Sequence, residues 1–159
     1  MLKYLLMGLC AFGFYANAQS IYQEEMQRID ISSQTPYTLN MYSGSPLLTS
    51  FFMPNCRWCQ RQHKVLKKLQ KICPTLQTVM LGVQGSKQKL KMELKREHNS
   101  FPAYIASRNI INAIGTKSPV PMMLIFNAKG KLVFKTQGYT PKDKLINLLN
   151  KYEIPSCNI

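Results

Sequence analysis

Hydrophobic and polar positions follow two periods along this chain, and each period predicts a kind of element. The run "LLTSFF" at Leu47–Phe52 is short, unbroken and partly aromatic, which predicts a strand buried on both faces. "LQTVMLGVQG" predicts a second strand of that kind. Between them Val65, Leu66, Leu69, Ile72 and Cys73 recur at three- and four-residue spacing among Lys64, Lys67, Lys68 and Lys71. That pattern predicts an amphipathic helix starting near Cys56 and ended by Pro74. "SKQKLKMELKREHN" predicts a charged helix with Ser86 as N-cap and Leu90 and Leu94 facing inward. "FPAYIAS" predicts a short strand, and "SRNIINAIG" a short helix stopped by Gly115. "MMLIF", "NAKG" and "KLVFKTQG" predict an antiparallel hairpin with glycine closing its turn. "TPKDKLINLLNKY" predicts a last helix, with Thr140 as N-cap, Pro141 at its first position and Leu145, Leu148 and Leu149 inward. Upstream, "TPYTLNMYSGSP" predicts a short strand closed by a Ser-Gly-Ser-Pro turn. Alternating strands and helices that finish in a hairpin and a helix predict an α/β domain, a mixed central sheet with helices on both faces.

The start of the chain follows neither period. "MLKYLLMGLCAFGFYANA" has an early lysine, an apolar run over residues 4–15, and small residues at Ala16 and Ala18. That order is a secretory signal cut after Ala18, and its apolar run falls short of the roughly 20 residues of a spanning helix. The expected organisation is a cleaved leader at 1–18, an amphipathic lead-in at 19–36 and one domain at 37–159. A domain of that size buries a proper core. Export places the mature chain in the periplasm, where thiols tend to pair. Cys10 leaves with the leader, so Cys56, Cys59, Cys73 and Cys157 remain. Four cysteines allow three connectivities, and the x-x spacing favours Cys56 with Cys59.

The chain has 21 basic and 7 acidic residues, a net of +14. Export argues against nucleic acid as the partner of that charge. The basic residues lie largely on two helical patterns, with no unbroken run of five. This describes a solvated cationic surface, one able to associate weakly with an anionic membrane.

The most specific chemistry is in "SFFMPNCRWCQRQ". With Cys56 at a helix start, unpaired backbone N–H groups, the positive end of the helix, Arg57 and Arg61 all favour its thiolate. Cys59, nearly a turn later on the same side, is placed to resolve a mixed disulfide formed on Cys56. Three other readings compete with redox work. A structural staple closing so small a loop constrains the unfolded chain little. Zinc usually takes four ligands in paired spacing, and Cys73 and Cys157 are isolated. Copper suits Cys56, Cys59 and His63, the set a metallochaperone would use. The strand-to-helix context favours redox, which needs no cofactor.

"TLNMYSGSPLLTSFFMPNCRWC" resembles the lead-in strand, glycine turn, central strand and CxxC helix of exported thioredoxin-like proteins of the TlpA/ResA/CcmG (DsbE) type. The resemblance continues through "LQTVMLGVQGSKQKLKMELKREHNSFPAYIAS", similar to their helix-and-strand insertion, and through "VPMMLIFNAKGKLVFKTQGYTPKDKLINLLNKY". It implies a thioredoxin fold with that insertion, and a thiol–disulfide oxidoreductase acting on exported protein thiols or disulfides. A membrane redox donor or acceptor would be its other partner. It also implies that Pro121, preceded by Val120, is a cis-proline facing the dithiol, whose loop bonds the substrate backbone and shields the cysteines from metals.

Departures from the family weigh against the role of an apocytochrome reductase and leave the direction of electron flow open. Ser50 stands where thioredoxins carry an aspartate, and Gln62 where cytochrome-maturation reductases carry a glutamate; either acid would accept the proton of the resolving thiol. Arg57-Trp58 replaces a proline-containing pair, and Val120 is similar to the oxidase DsbA. A reductase or isomerase-like direction leads, with an oxidase and a copper metallochaperone as alternatives. Trp58 forms an aromatic lip over the dithiol or packs. His63 is expected on the helix surface, His98 carries no signal, and the nine methionines are core filler. Cys73 is expected as a buried inert thiol, and Cys157 as free, paired with Cys73, or intermolecular.

Overall fold

The computed structural model describes residues 21–154 and Cys157; the expected leader lies outside them. The strands are β1 (Gln27–Arg28), β2 (Leu47–Phe52), β3 (Gln77–Gly82), β4 (Ala103–Ile105), β5 (Met122–Phe126) and β6 (Leu132–Gln137). The helices are α1 (Arg57–Ile72), α2 (Lys87–Arg96), α3 (Arg108–Ile114) and α4 (Lys142–Lys151). One sheet runs in the order β1-β4-β3-β2-β5-β6. β2, β3 and β4 are parallel, while β1, β5 and β6 run antiparallel to their neighbours. This is the mixed sheet that the alternation predicts.

Two apolar layers sandwich the sheet. On one face Leu48, Phe52, Met80, Met123 and Ile125 meet Leu66 and Leu69 of α1, Leu90 and Leu94 of α2, and Leu145 and Leu149 of α4. On the other, Leu47, Phe51, Val79, Leu81 and Leu124 meet Ile110 and Ile114 of α3. All six residues of β2 are buried, as the unbroken apolar run requires of a central strand. Ser86 and Ser107 cap α2 and α3 by accepting the N–H of Lys89 and Ile110.

Three expectations change. The lead-in is built into the fold: Gln27–Arg28 pairs with β4, and Ile21, Tyr22, Met26 and Ile29 are buried. The strand expected in "TPYTLNMY" is reduced to one bridge between Tyr37 and Met26, followed by a 3-10 helix at Leu39–Tyr42. That coil buries Leu39 and brings the Tyr42 hydroxyl 2.7 Å from that of Tyr104, contacts that no local pattern encodes. Finally, Pro141 rather than Thr140 is the N-cap of α4. Thr140 is buried and its backbone is held by Gln62, so the helix starts one residue late.

Candidate active site

The site lies where β2 gives way to α1. Asn55 takes a left-handed conformation (φ 58°), which asparagine tolerates better than most residues, and turns the chain into the helix. Cys56 is then the N-cap, and its sulfur accepts the backbone N–H of Cys59 at 3.1 Å. Cys56 and Cys59 form a disulfide, with Cα atoms 5.2 Å apart. Both residues are buried, at 6% and 3% exposure. The Val120–Pro121 peptide bond is cis, as the resemblance implies, and the Val120 carbonyl oxygen is 4.0 Å from the Cys56 sulfur. Val120 also lines a cavity of about 90 Å³ with Val83, Ile114 and Met122.

The two residues between the cysteines point outward. Arg57 is exposed, and Trp58 is half exposed. The Trp58 ring lies 5.7 Å from that of Tyr139, which comes from the loop between β6 and α4, and the Arg61 guanidinium sits 4.6 Å from its centroid. Trp58 is therefore part of a rim beside the disulfide and not a core residue. Tyr139 was not legible as a site residue, because only the fold brings its loop to the start of α1.

Gln62 and His63 face inward, where the polar partners decide what they do. The Gln62 amide is spent on the Thr140 backbone, accepting its N–H at 2.8 Å and donating to its carbonyl at 3.1 Å. His63 is 1% exposed, so the surface position expected for it is wrong. Its Nε2 lies 2.9 Å from Asn99 Oδ1, and its Nδ1 3.0 Å from the Glu97 carboxylate. Asn99 donates its amide to the Phe101 carbonyl, which fixes its oxygen toward His63, so Nε2 donates. A histidine is tolerated on this inward face because these partners replace water. Both ring nitrogens are engaged away from the dithiol, so the copper set of Cys56, Cys59 and His63 is not brought together. Among the described residues no group of three or more His, Cys, Asp or Glu is arranged to hold a metal.

One buried acid stands close to the redox turn, at neither position 50 nor position 62. Glu93 of α2 accepts the Asn55 N–H at 3.0 Å and the Gln60 side-chain amide at 2.9 Å, and pairs with Arg96. Burial opposes its charge, but hydrogen bonds from Arg96, Gln60 and Asn55, with Glu97 beside them, outweigh it and hold the carboxyl down at about 2. The sequence carried a sign of this: Glu93 shares the inward face of α2 with Leu90 and Leu94. Cys73, expected as an inert thiol, is bonded to Cys157.

Residues 40–153 match the thioredoxin-like domain family. The chain belongs to that family. With the Cys56–Cys59 disulfide at the start of its helix, it is a thioredoxin-like thiol–disulfide oxidoreductase. Solved structures share the fold at low identity. DsbF of Mycobacterium tuberculosis, solved in mixed oxidized and reduced forms, is 14% identical, with 85% of this chain and 97% of that chain covered and a TM-score of 0.70. A secreted M. tuberculosis disulfide oxidoreductase homologous to E. coli DsbE is also 14% identical, over 83% of this chain and 98% of that one, with a TM-score of 0.67. StoA of Bacillus subtilis is 12% identical over 77% and 95%, with a TM-score of 0.60. No curated protein matches the chain by sequence. No helix among the described residues is long and apolar enough to cross a membrane.

Proposed function

We propose that this thioredoxin-like oxidoreductase is exported and works in the periplasm on the cysteines of other exported proteins, in the reductase or isomerase-like direction. The observation that carries the reading is the position of Cys56. It caps α1, its sulfur accepts the Cys59 N–H, and it lies beside the cis Val120–Pro121 bond. A backbone N–H at a helix start favours negative charge on the sulfur it meets. Cys56 is therefore the nucleophile of the reduced protein, and Cys59, one turn further in, is the resolving thiol.

In the reductive cycle the Cys56 thiolate attacks one sulfur of a substrate disulfide. A mixed disulfide forms on Cys56, and the other substrate sulfur leaves as a thiolate and takes up a proton. Cys59 then gives up its proton and attacks the Cys56 sulfur. The Cys56–Cys59 disulfide forms and the second substrate thiol is released. Two electrons have passed to the substrate, and a dithiol donor at the membrane restores them. With Ser50 and Gln62 neutral and His63 engaged elsewhere, the Cys59 proton goes to water or to the departing thiolate.

The surroundings support a protein substrate. The backbone of Val120 offers bonding to an extended segment, and the cavity beside it takes an apolar side chain. Trp58, Tyr139, Arg57 and Arg61 form the rim that this segment crosses. The net positive charge favours acidic substrates and adds a weak attraction to anionic membrane surfaces.

Cys59→Ser in the native host should accumulate mixed disulfides on Cys56, whereas Cys56→Ser should trap none. Alkylation of the reduced protein, followed by mass spectrometry, should label Cys56 faster than Cys59; equal or reversed rates would overturn the assignment. The helix start and Arg57 stabilise the reduced form, which places the expected potential between roughly −120 and −230 mV, above thioredoxin. That same stabilisation favours a second reading, a disulfide-forming oxidase. A value at the upper end, together with net oxidation of a reduced protein, decides for it.

A further inference from the structure

The redox turn is held from outside its own helix, by one carboxylate. Asn55 immediately precedes Cys56 and Gln60 immediately follows Cys59, so these two residues bracket the Cys-Arg-Trp-Cys turn. Both donate to Glu93 of α2, Asn55 through its backbone N–H to Oε2 and Gln60 through its side-chain amide to Oε1. Glu93 is 4% exposed and lies between Leu90 and Leu94, which pack into the apolar layer over the sheet. A buried carboxylate at such a position is costly unless its oxygens are satisfied, and an aliphatic residue would pack α2 equally well. What an aliphatic residue cannot do is accept two donors that come from opposite ends of one turn. An ionised carboxylate is acceptor-only with two oxygens, so it fits this pair of donors without a competing donor of its own.

Two features seat α2 for this contact. Gly82 at the end of β3 carries no Cβ, and an added one would lie 2.8 Å from Leu90. Further along the helix, His63 of α1 meets Glu97 and Asn99, and the Lys67 ammonium donates to the Glu97 carbonyl at 3.0 Å. Polar contacts thus continue from Gln60 to Lys67 of α1, to Glu93 and to the segment that follows α2.

We propose that Glu93 is a positioning residue for the redox turn: by tying Asn55 and Gln60 to one carboxylate, it holds Cys56 and Cys59 at bonding distance. The inference rests on the oxidoreductase reading above. A turn held in this way favours ring closure of the dithiol, so loosening it makes the disulfide easier to reduce. Loss of the negative charge shifts the equilibrium the same way, because a nearby carboxylate disfavours thiolates. Two variants separate these effects. Glu93→Ala removes both the charge and the ties. Glu93→Gln removes the charge and keeps the ties, its carbonyl accepting from Asn55 and its amide donating to a flipped Gln60.

The test is equilibrium of the mature chain with reduced and oxidised glutathione, read by Trp58 fluorescence, with far-UV circular dichroism to confirm folding. Glu93→Ala should shift the equilibrium constant toward the dithiol by about tenfold, the preference for ring closure lost with the two ties. Glu93→Gln should shift it by less than about threefold. Equal shifts in the two variants would make Glu93 a charge effect only, and no shift in either would remove its role; both overturn the proposal. If Glu93→Ala does not fold, Gln60→Ala cuts one tie and leaves the carboxylate in place. It should shift the constant in the same direction by about threefold, and an unchanged constant would again overturn the proposal. A wild-type protein that fails to equilibrate with glutathione at all would instead sink the oxidoreductase reading.

Discussion

Gln62 occupies the position where a proton-accepting acid stands in the reductases this chain resembles, and its bonding explains why an acid does not suit it here. Its amide accepts the Thr140 N–H and donates to the Thr140 carbonyl. A carboxylate accepts the first and faces the second acceptor to acceptor. Gln62→Glu should therefore lower stability at pH 7 by about 1–3 kcal/mol, and the deficit should shrink in acid as the new carboxyl becomes a donor. Denaturant titrations of the two proteins at pH 7 and pH 5 check this. Glu93 behaves in the opposite sense, because its folded-state carboxyl is depressed below 4.5 to about 2. The unfolded chain takes up that proton first as pH falls, so the stability due to Glu93 is complete above about 4.5 and lost progressively toward 2. Glu93→Gln should flatten that part of the profile, measured as denaturant midpoints between pH 5 and pH 2.5. An equally steep fall in the variant would show that other carboxylates dominate it.

At the scale of elements, the redox turn depends on how α1 and α2 meet. α1 begins where β2 ends, so the sheet fixes its N-terminus and hence the N-cap sulfur of Cys56. α2 lies on Gly82, close enough that a side chain there would press on Leu90 at 2.8 Å and Ile29 at 3.1 Å. Leu90 is flexible enough to shift, yet a shift moves the helix that carries Glu93. Gly82→Ala should thus lower stability by about 1–3 kcal/mol, the usual effect of overpacking. It should also move the glutathione equilibrium in the direction of Glu93→Ala. Thermal melts and the fluorescence titration report the two effects separately.

The whole molecule is closed by the second disulfide. Cys73 follows α1 and Cys157 follows α4, so the bond ties the redox helix to the end of the chain across 84 residues of sequence. A loop of that length constrains the unfolded chain far more than the three-residue spacing of Cys56 and Cys59 does. Removing it as Cys73→Ala with Cys157→Ala should lower stability by about 2–4 kcal/mol. Exchange through Cys56 should continue in the folded protein, because the two bonds lie at opposite ends of α1. Chemical denaturation and turnover of a model protein disulfide measure the two consequences, and loss of turnover at unchanged folding would show that the bonds are coupled.

Much of this was readable from residues alone. The unbroken run of β2, the three-and-four spacing of α1, the serine cap of α2 and the glycine-closed hairpin each follow from local geometry, and together they define the mixed sheet. The two-residue spacing of Cys56 and Cys59 at a strand-to-helix junction marked the chemistry, since a helix start presents free N–H groups whatever the surrounding fold. The cis bond before Pro121 came from resemblance, because local sequence does not separate it from an ordinary proline. What tertiary packing decided is which polar residues meet. His63 lies buried because Glu97 and Asn99 arrive from beyond α2; Tyr139 reaches Trp58 from the loop after the hairpin; Cys73 finds Cys157. Gln60 and Asn55 converge on Glu93 from across the α1–α2 seam. Periodicity records which face of an element is turned inward, a property of near neighbours. The partner waiting on that face belongs to a distant part of the chain, and only the folded arrangement selects it.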